Sequence, residues 1–374
     1  MIKKRLSTLA IALFCSANMA FSQGQLTLPT EGGSKKAMVS EYIGLTEISV
    51  AYGRPAVRGR EGKVWGDIVP FGNTDQGFGT SKSAPWRAGA NENTVISFST
   101  DVKVEGKPLK AGKYGLFMTV VSENEVIVIF SKNAQAWGSY FYDPANDALQ
   151  VTVKPKKVDA SKEFLEYEFM NQTRNSADIV LAWEKWQIPF KIEVDVTGTV
   201  LASIREELKS SKGFEWQSWN QAASYCLRNN TNLEEGLIWA ENAISLRGTG
   251  EKNFTTLSTK AMILAKLGKQ SEADALMKEA LPMGAMMEVH GYGRQLIAQK
   301  KYNEALEVFK MNAKKNPTNW TPSWGLARGY SAVGDFKNAL KYAELALTQK
   351  PDEQNKKNIE NSIPKLKEKK DINQ

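Results

Sequence analysis

Cysteine and histidine are almost missing from this chain, which holds two cysteines and one histidine in 374 residues. Each scarcity excludes a chemistry. The one histidine, His290, lies late in the chain beside Val289 and Gly291, so with no second histidine and a single cysteine past residue 22, neither a His/Cys zinc site nor a Ser-His-Asp triad can be drawn within residues 42–196. No glycine-rich loop follows a strand and opens a helix, so nucleotide binding lacks its usual phosphate cradle. The sequence offers no catalytic residue, metal-ligand set or cofactor motif, and none is expected. Past the first 22 residues no apolar run approaches the ~20 residues that a membrane-spanning helix needs.

Those first residues have a pattern of their own. Lys3, Lys4 and Arg5 precede the apolar run Leu9 to Phe14, and Ala20-Phe21-Ser22 closes it with small residues at the cleavage positions. Residues 1–22 read as a secretory signal peptide. Bulky Phe14 directly before Cys15 argues against lipid attachment there. Cleavage would leave Cys226 as the sole cysteine, so an oxidising compartment offers no internal disulfide. Cys226 lies in the apolar stretch 222–227 and is expected to behave as a small hydrophobe. The expected location is the periplasm, with secretion as the alternative, and export disfavours a nucleic-acid partner.

Charge is uneven along the chain. Residues 23–200 carry 20 basic and 21 acidic side chains, whereas 201–374 carry 26 and 20. Much of the excess is in the tail, at Lys356, Lys357, Lys365, Lys367, Lys369 and Lys370. A solvated helix end explains it, and contact with an acidic partner or an anionic membrane surface is the sharper alternative.

Residues 23–41 contain Gly24, Pro29, Gly32, Gly33 and Ser34 without clear periodicity, which predicts a flexible leading segment. From residue 42 the pattern is β. Residues 46–52 and 94–99 alternate polar and apolar, and a hairpin follows at once, with Val102 and Val104 leading to Gly106-Lys107-Pro108. Residues 114–121 are too apolar for a strand with a wet face and predict a central one. Further strands are expected at 126–130, 149–153, 164–169, 179–183 and 187–196. About nine short strands without intervening helices predict an antiparallel β-sandwich or jelly-roll-like domain over 42–196.

Polar chemistry in this half concentrates in loops. Tyr52-Gly53-Arg54-Pro55, Arg58-Gly59-Arg60, Trp65-Gly66-Asp67-Ile68-Val69-Pro70-Phe71-Gly72 and Pro85-Trp86-Arg87-Ala88-Gly89-Ala90-Asn91-Glu92 follow one another. Arg54, Arg58, Arg60, Arg87, Asn91 and Glu92 are the candidate binding residues for a small anionic or sugar ligand. Loop arginines and carboxylates of a sandwich also tie loops together by bidentate pairing, which is the simpler reading. An acid/base role would fall to Asp67, Glu92 and Asp143, but carboxylate separation decides such chemistry and is invisible in sequence. The aromatic loop 137–144 either caps the core edge or meets a ligand.

These motifs, with Ala111-Gly112-Lys113-Tyr114-Gly115-Leu116-Phe117, Trp137-Gly138 and Asn146-Asp147-Ala148-Leu149-Gln150-Val151-Thr152-Val153, resemble the family called domain of unknown function 2911. The resemblance covers roughly 42–196 and implies a bacterial, exported protein without a known activity. Family members usually run almost directly from the Val-Pro-Phe-Gly motif to the Trp-Arg motif, whereas here residues 73–84 intervene. This insertion either lids the arginine region or lengthens a surface loop.

After Gly198 the periodicity becomes helical. Val200, Leu201, Ile204 and Leu208 predict a linker helix within 197–213. Ala305 and Ala339 are 34 residues apart, as are Pro317 and Pro351. This period resembles the tetratricopeptide repeat, and about four repeats are expected over 214–352. Small residues where paired helices touch fall at Gly236, Ala273, Ala305 and Ala339, with Ala243, Ala280 and Ala346 seven positions on, and Asn312 breaking that series. Residues 353–374 would form a basic capping helix and tail. The expected fold is therefore a β domain followed by an α-helical repeat solenoid. The expected function is that of an exported non-enzymatic protein whose repeats bind a protein or peptide, with the β domain as scaffold or ligand-binding module. The alternative is a carbohydrate-binding or carbohydrate-active β domain.

Overall fold

The computed structural model describes residues 34–373, so the signal pattern of residues 1–22 lies outside the described residues. The chain divides into two compact units between Val200 and Leu201. The first is built from ten described strands in two antiparallel sheets. One sheet has the order β1-β2-β3-β6-β7-β8, from β1 (Lys35–Ile43), β2 (Thr46–Arg54), β3 (Thr94–Phe98), β6 (Gly112–Ser122), β7 (Glu125–Ser131) and β8 (Asp147–Val153). The other has the order β5-β4-β10-β9, from β4 (Val102–Val104), β5 (Lys107–Leu109), β9 (Lys156–Met170) and β10 (Ser176–Glu193). A single apolar core joins them: Ile48, Val50, Ile96, Leu116 and Met118 from the larger sheet lie with Leu165, Leu181, Trp183, Ile188 and Phe190 from the smaller. Fully burying a side chain of this size is worth roughly 1.5–3 kcal/mol.

Three expectations need correction. Residues 35–41 are not a flexible leading segment but most of β1, paired with β2 from Lys35↔Arg54 to Ile43↔Thr46. As a sheet edge, β1 keeps lysines and outward Met38 and Tyr42 on its wet side, which hides the alternation of Ala37, Val39 and Ile43. The stretches 179–183 and 187–196 are not two strands. They belong to β10, interrupted by a bulge where Glu184 takes a φ of 52° and turns its carboxylate onto the amides of Gly62 (3.0 Å) and Lys185 (2.9 Å). The strand ends at Glu193, and Val196 already opens a helix. The hairpin expected after Val102 and Val104 forms, but its turn is at Glu105-Gly106, and Lys107 and Pro108 already pair with β4 as part of β5.

Strand β6 is central, as its composition predicts, and its apolar run has a specific cause. Leu116, Met118 and Val120 face the core, while Phe117 on the other face is covered by the loop after β7, with its ring 5.3 Å from that of Tyr142. Loops, rather than a third layer, cover that outer face.

The second unit is helical. The helix α1 (Val196–Glu207) spans the division between the units, with Leu201 and Ile204 in the second unit's first apolar cluster. Four hairpins follow: α2 (Trp216–Asn229) with α3 (Leu233–Ser245), α4 (Phe254–Lys266) with α5 (Gln270–Ala280), α6 (Met286–Ala298) with α7 (Tyr302–Lys315), and α8 (Trp320–Ala332) with α9 (Phe336–Thr348). Each is closed by a three-residue turn. Helix α10 (Glu353–Lys367) packs on α9. Ten described helices thus form a repeat array.

Gly236, Ala273, Ala305 and Ala339 all lie in the first turn or two of a second helix, and all are buried. At Gly236 a Cβ would stand 2.7 Å from Cys226 Cβ, so the α2–α3 contact leaves no room for a side chain. Ala243, Ala280 and Ala346 are fully buried too. Asn312, the exception, uses its polarity: its Nδ2 donates to Met286 O at 2.9 Å and ties α7 to the start of α6. Cys226 is buried, and its thiol is pushed up to about 11 by desolvation, with the Glu235 charge adding to it, so it stays protonated.

Candidate functional site

The six candidate ligand residues fall into two hydrogen-bonded networks. In the first, Arg54 closes β2 and reaches β9: Nε donates to Leu165 O (2.9 Å), Nη2 approaches Glu166 Oε2 (3.3 Å), and the guanidinium lies 5.6 Å from the Phe164 ring centre. Arg58 takes a φ of 52° and its amide donates to Glu163 Oε1 (3.0 Å). Arg60 folds back on its own loop, donating to Val57 O (2.8 Å) and Ala56 O (2.7 Å). In the second network Arg87 Nη1 donates to Asn91 O (2.9 Å) and stacks over Trp137 and Tyr140 at 5.7 and 5.5 Å. Asn91 donates to Ser34 O (3.2 Å). Glu92 pairs with Lys36 at 2.6 Å, and that bond holds its carboxyl below the usual range.

The surrounding motif residues are packing elements. Trp65 and Trp86, from the two tryptophan motifs, join Trp183 and Trp186 of β10 in one cluster, with Trp65 stacked on Trp186 at 4.8 Å and edge-on to Trp86 at 5.8 Å. The loop 85–92 bridges both sheets: Trp86 exchanges backbone hydrogen bonds with Met118 of β6, and Ala88 O accepts from Tyr167 Oη of β9 (2.8 Å). Gly53 is required beneath this loop, because a Cβ there would fall 2.0 Å from Ala90 O. Of the acid/base candidates, Asp67 is exposed, and Asp143 caps a short helical turn by accepting from Ala145 N (2.9 Å).

Sequence reasoning missed a cleft of ≈570 Å³ on the outer face of the larger sheet. Thr119, Ile127, Ile129 and Gln150 floor it, the 73–84 insertion walls one side with Asn73 and Lys82, and Tyr142 and Asp143 wall the other. The insertion is anchored to the aromatic loop and not to the arginines: Gln76 donates to Ser139 Oγ (2.7 Å), and Ser81 N to Tyr140 O (3.0 Å). Phe78 packs edge-on against Tyr140 and Phe141. Phe78, Trp137 and Phe141 remain 65, 57 and 51% exposed. The insertion and the aromatic loop were each visible in sequence, but not that they meet.

In the helical unit a different pattern emerges. Asn220 Oδ1, Tyr225 Oη, His290 Nδ1, Arg328 Nε and Gln349 Oε1 are buried polar atoms without hydrogen-bond partners; the first four belong to first helices of hairpins, α2, α6 and α8, and Gln349 follows α9. Tyr225 and Arg228 line a cleft of ≈420 Å³ with Gln221, Ile204 and Leu208. His290 is 7% exposed and lies against the Phe309 ring at 5.5 Å. Burial pushes its imidazole down to about 4, and the charges of Arg328 and Arg294 add to this. Among the described residues no cluster of three or more His, Cys, Asp or Glu side chains is placed to hold a metal, and no helix is long and apolar enough to cross a membrane.

Residues 34–192 match the family model described as protein of unknown function (DUF2911). The DUF2911 region thus begins at β1, eight residues before the start expected from its motifs, and closes within β10. Solved structures similar to this chain include YrrB, described as a TPR protein with an unusual peptide-binding site, at 17% identity over 44% of this chain and 83% of that one, with a TM-score of 0.30. Others are PilF of Pseudomonas aeruginosa (16%, 43% and 71%, 0.32) and MamA AMB-1 (15%, 41% and 81%, 0.28). No curated protein matches the chain. At such TM-scores the similarity carries no weight by itself, and the repeat assignment rests on the four hairpins and their small contact residues.

Proposed function

We propose that this chain is an exported, non-enzymatic two-domain protein whose first-helix face binds an extended segment of a partner protein, with the DUF2911 region as its scaffold. The observation that carries this reading is the set of unpartnered polar atoms at Asn220, Tyr225 and Arg328. A buried polar atom left unpaired costs roughly 1–3 kcal/mol, and a peptide backbone, with alternating donors and acceptors, relieves that cost along a row of helices. The N-terminal charge and apolar pattern supports export. A peptide-display selection on the intact protein tests the reading. Enriched peptides should lose at least tenfold in affinity on Tyr225→Ala or Arg294→Glu and keep it on Arg87→Ala. A selection that enriches nothing, or binders indifferent to both helix substitutions, would refute it.

A second reading has its own observation, the exposed rings of Phe78, Trp137 and Phe141 beside the polar cleft on the sheet. Flat aromatic faces next to amide and hydroxyl groups suit a saccharide, and the carbohydrate alternative moves from the arginines to this cleft. Thermal-shift screening against neutral oligosaccharides, repeated with Trp137→Ala, tests it. No shift with any of them removes the reading.

A further inference from the structure

The face just described already holds a piece of this chain. After α10 the backbone turns at Lys369, with a φ of 55°, and residues 371–373 lie against α8. Ser331 Oγ donates to Asp371 Oδ1 (2.8 Å) and accepts from the Ile372 amide (3.0 Å). Arg328 Nη1 donates to Asn373 Oδ1 (3.2 Å), and Asn373 Nδ2 donates to Arg328 O (3.0 Å). Between these polar anchors Ile372 is 9% exposed, in the apolar cluster of Trp324, Ile359 and Leu366. Each of the three residues is thus met by a specific contact: a hydroxyl for the acid, an apolar pocket for the aliphatic side chain, and a two-point contact for the amide.

One receiving residue, the arginine, recurs in the preceding repeat. Trp324 and Arg328 lie 34 positions after His290 and Arg294, at the same points of the preceding first helix. The Arg294 charge acts on Arg328, so the two guanidinium groups lie near each other on neighbouring first helices. Among the described residues no carboxylate forms an ion pair with Arg294 or Arg328. Asp371 is the acid whose charge acts on Arg328. That complementarity gives the face a chemical preference.

We propose that residues 371–373 are a built-in, displaceable occupant of the peptide-binding face, and that the partner it excludes carries an extended acidic–aliphatic–amide segment like Asp-Ile-Asn. This rests on the peptide-binding reading above and names its ligand class. The tail gates access: the face on α8 is closed while Ile372 is seated and opens when a competing segment replaces it.

The test uses a fluorescein-labelled peptide of residues 368–374 added in trans, read by anisotropy. Intact protein should bind it at least tenfold more weakly than either of two variants, the chain ending at Glu368 and the full-length Ile372→Asp. In the shortened chain, Ser331→Ala should weaken binding at least tenfold, and a peptide with aspartate at the isoleucine position should not bind. Retained helicity without peptide binding would overturn the proposal and make 371–373 a seal on the last hairpin. Loss of the helical fold in both variants would overturn it as well, because a displaceable occupant cannot be indispensable to the fold. If the tail peptide fails while display-selected peptides bind, only this inference falls; if neither binds, both readings fall.

Discussion

His290 gives the strongest quantitative handle on the helical unit. Its imidazole is buried between Phe309 and the Gly325 backbone, with Arg294 on its own helix and Arg328 on α8 as the charged neighbours. In the unfolded chain it should titrate near 6.5, whereas in the folded chain it is lowered to about 4. The sign follows directly. Above the unfolded value both states are neutral and the group contributes no pH dependence. As pH falls, the unfolded chain takes up the proton first, so stability is lost between about 6.5 and about 4 and no further below that. At ~1.4 kcal/mol per pH unit, the whole interval amounts to about 3 kcal/mol, of which about 2 kcal/mol is lost by pH 5. Carboxylates such as Glu235 and Asp335, lowered from their ordinary 4.5 and 3.8 by their hydrogen bonds to Arg205 and Asn338, lose their contribution mainly as pH falls through and below those values, so the comparison is made at pH 5. Urea unfolding followed by helical ellipticity at pH 7.5 and pH 5 should show the ~2 kcal/mol loss in the wild type and little of it in His290→Gln. Because the chain has one histidine, its imidazole proton resonance in untagged protein reports the titration without assignment. A midpoint near 6.5, or equal pH sensitivity in both proteins, would refute the burial argument.

Other outcomes are expected. Gly53→Ala drives a methyl toward Ala90 O, 2.0 Å from the position its Cβ would take, and should destabilise the DUF2911 region by about 3 kcal/mol in thermal melts. Arg87→Ala removes one hydrogen bond and two ring contacts and should cost about 1–2 kcal/mol, with a matching change in Trp137 fluorescence. Asn312→Ala removes the bond from α7 to Met286 O, and a loss of about 1–2 kcal/mol of helical stability is expected by urea titration. Lys300 takes a φ of 62° at the turn position that Gly268 and Gly334 fill elsewhere, so Lys300→Gly should raise stability by roughly 0.5 kcal/mol. A lower melting temperature for that variant would show that the lysine side chain compensates for its backbone.

How much of this was legible varied with the kind of pattern. The helical repeat was open to reading because each hairpin is a local unit. A 34-residue period places Ala305 and Ala339 at the same contact whatever else the chain does. Asn312 looked like a break in that series because a sequence pattern records size and polarity, not a hydrogen bond to Met286 O. In the β half, composition revealed the central strand β6 but concealed the edge strand β1, whose one-sided pairing tolerates charge where a central strand cannot.

The candidate site divides in the same way. The arginines, tryptophans and carboxylates of residues 52–92 were conspicuous as motifs, yet some of their partners are more than 100 residues away, as Glu166 is from Arg54 and Trp186 from Trp65. No spacing rule carries that information, since sheet pairing sets it. Likewise the outer cleft exists because the 73–84 insertion and the 137–144 loop fold onto the same sheet face, and the tail at 371–373 returns to a helix about 40 positions earlier. By itself the sequence determined the order of a β half and a helical-repeat half, the family resemblance of the first, and the small residues that let helices touch. Tertiary structure alone decided that the arginines are tied into networks, which buried polar atoms lack partners, and what occupies the face of α8. The physical reason is range: periodicity and residue size act over one turn or one hairpin, whereas satisfying a buried polar group depends on whichever distant segment the fold brings to it.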